Sequence, residues 1–112
     1  MTGDTSPPAK VYAEYYRACL AGDTGKMLPF FSGKARKEFE SFDKDSRNMI
    51  AELCKTRPDE VKISKPSIFG DQVSFTVTGT SRQGEKATGK VKMVNEQGLW
   101  KVLEDKWEFI SQ

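Results

Sequence analysis

An α+β fold, helices first and a curved sheet after them, is what this sequence predicts, and three observations carry that prediction. Apolar residues recur at helical spacing from Val11 to Cys54. From Val61 onward the period drops to two. Short turns at Arg82-Gln83-Gly84-Glu85 and Asn95-Glu96-Gln97-Gly98 then separate the later runs. Helices that precede a meander must cover one of its faces, which predicts N-terminal helices packed on a curved antiparallel sheet of about four strands, a cone-shaped roll. At 112 residues the chain supports one core. We read residues 1–6 as a flexible N-terminal segment and 7–112 as a single domain.

Ser6 followed by Pro7 predicts a helix start, because proline at the first helical position gives up an N–H that has no partner there anyway. Val11, Tyr12, Tyr15, Tyr16, Cys19 and Leu20 form the apolar stripe, and Gly22 stops the helix. Asp23 caps a second, short helix that Pro29 must bend or end. Phe30 and Phe31 then turn inward. Ala35, Phe39 and Phe42 share one face of the next stretch. After the polar break at Asp43–Asp45 that face resumes with Met49, Ile50, Leu53 and Cys54, until Pro58 closes helical territory.

Val61 and Ile63 begin the first strand, and Val73, Phe75 and Val77 alternate with polar residues in the next. Val91 and Met93 follow the same rule, as do Trp100 and Val102. Their phase sends Val73, Phe75, Val77, Val91, Met93, Trp100 and Val102 toward the helices, with the Thr and Lys rows on the other side. Strict alternation cannot put Trp100, Trp107 and Phe109 on one face, so a bulge or break is expected around Asp105 and Lys106.

Composition narrows the function. Eighteen Lys and Arg stand against sixteen Asp and Glu, a net charge of +2 with the signs interspersed, which is no electrostatic footprint for nucleic acid. No run approaches the roughly 20 apolar residues of a membrane span. Met1-Thr2-Gly3-Asp4-Thr5-Ser6-Pro7-Pro8 reads either as a native flexible terminus or as a tether behind an upstream leader. No cofactor motif is present. Two distant cysteines without any histidine cannot furnish a four-ligand zinc site. Cys19 and Cys54 allow two readings, a bridge closing a loop of about 35 residues in an oxidising compartment, or two buried thiols that stay reduced in protein made in the cytoplasm. The second is our expectation.

The Ser-Pro helix start, Tyr15-Tyr16 leading into Ala21-Gly22-Asp23, Phe30-Phe31-Ser32, the meander and the closing Gly98-Leu99-Trp100-Lys101-Val102 together resemble the nuclear transport factor 2-like superfamily, a cystatin-like α+β roll. Within it the chain looks most like bacterial domains of unknown function that follow a lipoprotein leader. The resemblance implies a cone with a pocket at its wide end, and in the superfamily's isomerases, dehydratases and cyclases a carboxylate or histidine works there beside tyrosine donors. This chain lacks histidine altogether, which removes the base most readily tuned to neutral pH.

A carboxylate whose pKa burial had raised could replace it. Glu104, in phase with Trp100 and Val102, is the candidate, with Tyr12 or Tyr16 as donor. The pocket candidates are therefore Tyr12, Tyr16, Phe31, Trp100 and Glu104, with no catalytic residue assigned. Leu99 and Leu103, on the outward phase, are the candidate anchors of a weak homodimer. The function expected is a non-catalytic domain that binds a small apolar ligand or a protein partner in an extracytoplasmic setting, periplasmic or cell-surface, with a lipid anchor in the precursor; a cytoplasmic setting stays open as the alternative. The alternative is a small isomerase, dehydratase or cyclase using the pocket carboxylate and tyrosine.

Overall fold

Among the described residues, three of the four α-helices begin behind a side chain that caps them; the first begins behind Ser6, whose hydroxyl makes no cap bond, with proline at its first positions. The computed structural model describes residues 1–110, so the domain expected over 7–112 runs two residues beyond them. Helix α1 (Pro7–Leu20) starts behind Ser6 and ends at Gly22, whose φ of +67° only glycine adopts readily. Asp23 accepts from Lys26 N–H at 3.1 Å to open α2 (Thr24–Met27), and Pro29 converts the continuation into one 3-10 turn, Leu28–Phe30. Ser32 caps α3 (Gly33–Ser41) through Ala35 N–H at 3.1 Å, and Asp43 caps α4 (Lys44–Lys55) through Ser46 N–H at 2.7 Å.

The strands are β1 (Thr2–Gly3), β2 (Val61–Ile63), β3 (Ser67–Phe69), β4 (Gln72–Thr80), β5 (Lys86–Glu96) and β6 (Leu99–Phe109). They form one sheet in the order β1-β2-β4-β5-β6, with β3 also on β4. Among the described residues six strands thus replace the roughly four expected, and the sheet is mixed, because β1 lies parallel to β2. The N-terminal segment read as flexible contributes that strand: Thr2 and Gly3 pair with Lys62 and Ile63, and Asp4 N–H continues to the Ile63 carbonyl at 3.0 Å. The two unforeseen strands, β1 and β3, are two and three residues long and wholly exposed, so they show no alternation of apolar and polar residues, whereas the equally short β2 is marked by Val61 and Ile63.

Helix α1 lies on the inner face, where Tyr12, Tyr16 and Cys19 pack with Val73, Phe75, Val77, Val91, Met93 and Val102. Tyr12 meets Phe75 edge-on at 5.4 Å between ring centroids. The strand phases hold up to Val102. Trp100 is only half-buried, a correction, because it sits two residues past the Gly98 turn at the end of the sheet. Helix α4 is loosely seated: only Cys54 on it is buried, while Met49 and Leu53, expected on its inward face, are 64% and 60% exposed.

Two further corrections matter for function. Cys19 and Cys54 are buried as expected, yet joined as a disulfide with Cα atoms 5.0 Å apart, because the stripes of α1 and α4 bring them face to face. The bulge also lies earlier than expected. Lys92 pairs with Glu104 but Met93 pairs with Val102, which leaves Leu103 without a partner and reverses the phase of everything after it.

Candidate functional site

The reversal at Leu103 decides which carboxylate points inward. Without it Glu104 would follow Val102 into the core; with it Glu104 faces out beside Lys92, 4.0 Å from the ammonium, and Asp105 takes the inner position opposite Val91. The Asp105 side chain is 5% exposed. It is held by three donors from three parts of the chain. Tyr12 Oη donates to Oδ1 at 2.9 Å, Trp107 Nε1 donates to the same oxygen at 2.9 Å, and Arg57 Nη1 donates to Oδ2 at 2.7 Å. Those bonds occupy three of the roughly four acceptor positions of a carboxylate.

Arg57 reaches this point because α4 ends at Lys55, anchored by the disulfide one turn from the guanidinium. Its Nη1 also approaches Cys19 Sγ at 3.1 Å, and its plane lies 5.5 Å over the Trp107 ring. The side chain is 17% exposed. Burial works against the guanidinium charge, but Asp105, with Tyr15 and Tyr12, more than offsets it and holds the Arg57 pKa above its ordinary value. Burial, reinforced by the Asp105 charge, pushes the Tyr12 and Tyr15 hydroxyls well above the usual tyrosine pKa. Both stay protonated donors throughout the physiological range.

Over this cluster opens a cavity of about 310 Å³ between β6, α3 and α4. Phe31, Phe39, Phe42, Ile50 and Leu53 supply apolar wall, Tyr15, Arg57 and Asp105 supply polar groups, and Glu38 and Glu104 add carboxylates. Phe31 is fixed by a bridge to Val102, and Ser32 N–H donates to the Val102 carbonyl at 2.8 Å.

The sequence candidates are thus distributed unevenly. Phe31 and Glu104 line the cavity, Glu104 from outside the core rather than from within it. Tyr12 and Tyr16 do not: Tyr12 is engaged with Asp105, and Tyr16 Oη donates to the Pro58 carbonyl at 2.6 Å. Trp100 lies apart from it. Leu99 is exposed, but Leu103, expected beside it on the outward row, is half-buried and lines the cavity. Arg57, Asp105 and Tyr15 complete the set, two of them unforeseen. Gly89 opposite Trp107 was the available signal, since a glycine in mid-strand marks room for a large neighbour.

Comparison with solved structures rests on this geometry. An NTF2-like protein of unknown function from Shewanella baltica superposes with a TM-score of 0.65 at 15% identity, covering 97% of this chain and 100% of that one. The fold is that of the nuclear transport factor 2-like proteins. An NTF2-like protein from Campylobacter jejuni, proposed to be a transpeptidase, gives 0.66 at 15% identity over 88% of this chain and 99% of its own. One from Streptomyces avermitilis, proposed to be a dehydratase, gives 0.61 at 11% identity over 93% and 94%. No protein-family model matches the sequence, and no curated protein does. Among the described residues, no group of three or more His, Cys, Asp or Glu side chains is arranged to hold a metal, and no helix is long and apolar enough to cross a membrane.

Proposed function

We propose that this NTF2-like domain binds a small, largely apolar molecule in the cavity over Arg57 and Asp105, without catalysis, in an extracytoplasmic compartment. The observation that carries the reading is the cavity itself: aromatic and aliphatic walls around a short list of fixed polar groups, the usual composition of a ligand site. The polar groups supply donors to an acceptor on the ligand, chiefly from Arg57 and the protonated Tyr15. The Cys19–Cys54 disulfide supports the compartment, since such bonds persist where the surroundings are oxidising. A lipid anchor in the precursor belongs to the same proposal. A weak homodimer would rest on Leu99 alone, Leu103 being part of the cavity wall.

The alternative, an isomerase, dehydratase or cyclase, draws on the carboxylates at the cavity and on the Streptomyces avermitilis neighbour. It is weakened by the engagement of Asp105 with three donors, which leaves little of it for a substrate proton.

Titration with the neutral fluorophore N-phenylnaphthylamine tests the binding reading. Saturable fluorescence enhancement is expected, abolished by Ala35→Trp, which fills the cavity from α3. Absence of binding, or equal binding by a folded Ala35→Trp variant, would overturn it.

A further inference from the structure

We infer a second binding site on the opposite face of the sheet, for a small anion carrying two or more phosphate-type charges. The strands β2 and β3 share one edge of β4, and between them Ser64 N–H still donates to the Thr76 carbonyl at 2.9 Å while Lys65 and Pro66 leave the ladder beside Phe75. This interruption opens a groove of about 330 Å³. Three ammonium groups, from Lys65, Lys90 and Lys92, and the hydroxyls of Ser64, Ser74 and Thr76 line it, with no carboxylate in the lining.

Register concentrates the charge. Lys90 stands directly opposite Thr76 and Lys92 directly opposite Ser74 across β4 and β5, so each ammonium is paired with a hydroxyl along the groove. On its other side Lys90 faces Lys106, a like-charge cross-strand pair that costs stability unless a counter-ion offsets it. Among the described residues neither Lys65 nor Lys90 has a carboxylate within 4.0 Å, and Lys92 has only Glu104 at that limit. Ser64 Oγ accepts from Thr76 N–H at 2.9 Å, which leaves its own O–H to donate outward. Glu104 beside Lys92 and Asp4 near Lys65 offset part of this charge, but the ammonium and hydroxyl donors leave a positive excess that suits tetrahedral oxyanions, and the volume suits a small molecule. A second copy of this face would bring lysine against lysine.

The groove shares no lining residue with the cavity, its one link being Lys92 beside Glu104 of the cavity wall, and its test uses a ligand the cavity would not take. Inorganic pyrophosphate is titrated into ¹⁵N-labelled protein at fixed ionic strength and followed by amide NMR. Saturable shifts are expected at Ser64, Ser74, Thr76, Lys90 and Lys92. Lys90→Gln with Lys92→Gln should weaken binding by about tenfold or more, and Lys90→Arg should largely preserve it. Both side chains are exposed, so the variants are expected to keep the native stability. Non-saturating or scattered shifts, or an unchanged affinity in the double variant, would overturn the inference.

Discussion

Gly89 and Trp107 face one another across β5 and β6, and the indole fills the space that a side chain on Gly89 would need. A Cβ built at position 89 would lie 2.6 Å from the Trp107 ring, closer than real contacts allow, and the ring cannot swing aside without releasing Asp105. Gly89→Ala should therefore destabilise by about 1–3 kcal/mol, the range for overpacking a filled site. A denaturant titration reads this directly; a loss below experimental error would show that the ring yields freely.

Trp107 should also be the costlier tryptophan. It donates to Asp105 and Tyr12, stacks on Tyr16 at 5.7 Å and carries Arg57 over its face, whereas Trp100 sits near the turn. Trp107→Ala is expected to cost about 3–5 kcal/mol and Trp100→Ala clearly less. Equal losses in guanidinium titrations would contradict the phase reversal at Leu103.

These two residues also show how far the sequence was legible. The helix start at Pro7, the Asp23 cap and the alternation from Val73 to Val102 are each stated locally and each is found, though Ser6 marks the start by position alone and its hydroxyl makes no cap bond. The bulge is not local. Nothing in Val102-Leu103-Glu104 marks a missing partner; only the need to bury Trp107 with Asp105, opposite Gly89, requires an extra residue upstream, and sequence placed it two residues late. Arg57 escaped for a related reason: its role depends on the disulfide that seats α4, and the spacing of Cys19 and Cys54 permitted either state.

The Arg57–Asp105 pair should behave as a buried ion pair with one partly open side. Asp105→Ala is expected to cost about 3–5 kcal/mol, because it strands a guanidinium that little water reaches. Replacing both at once, Arg57→Met with Asp105→Leu, should recover a large part of that loss. Additive losses in this double-mutant cycle would deny the coupling.

Alkaline stability follows from Tyr12, Tyr15 and Tyr16, whose pKa values are all raised, first by burial. In the unfolded chain they ionise at about 10. Above that pH the native state holds more protons than the unfolded one, so the stabilisation present below about 10 is lost as pH rises, by up to roughly 1.4 kcal/mol per tyrosine per pH unit. Tyrosinate absorbance should appear together with unfolding. Ionisation of all three in a protein that keeps its circular dichroism would contradict their burial.

Reduction of Cys19–Cys54 should lower stability by about 4 kcal/mol in the chain-entropy picture for a loop of this length. Alkylation of native, unreduced protein purified from an oxidising compartment is expected to add nothing by intact mass. Prompt double labelling would return the cysteines to free thiols.

The central claim is that the inward carboxylate is Asp105 and that the cavity above it receives an apolar ligand. Methyl NMR during an N-phenylnaphthylamine titration tests it most directly. Saturable shifts are predicted at Ala35, Ile50, Leu53, Val102 and Leu103, which line the cavity, with Ile68 on the distant β3 unmoved. Shifts centred on Ile68, or cavity methyls that stay fixed while the probe binds, would contradict the account.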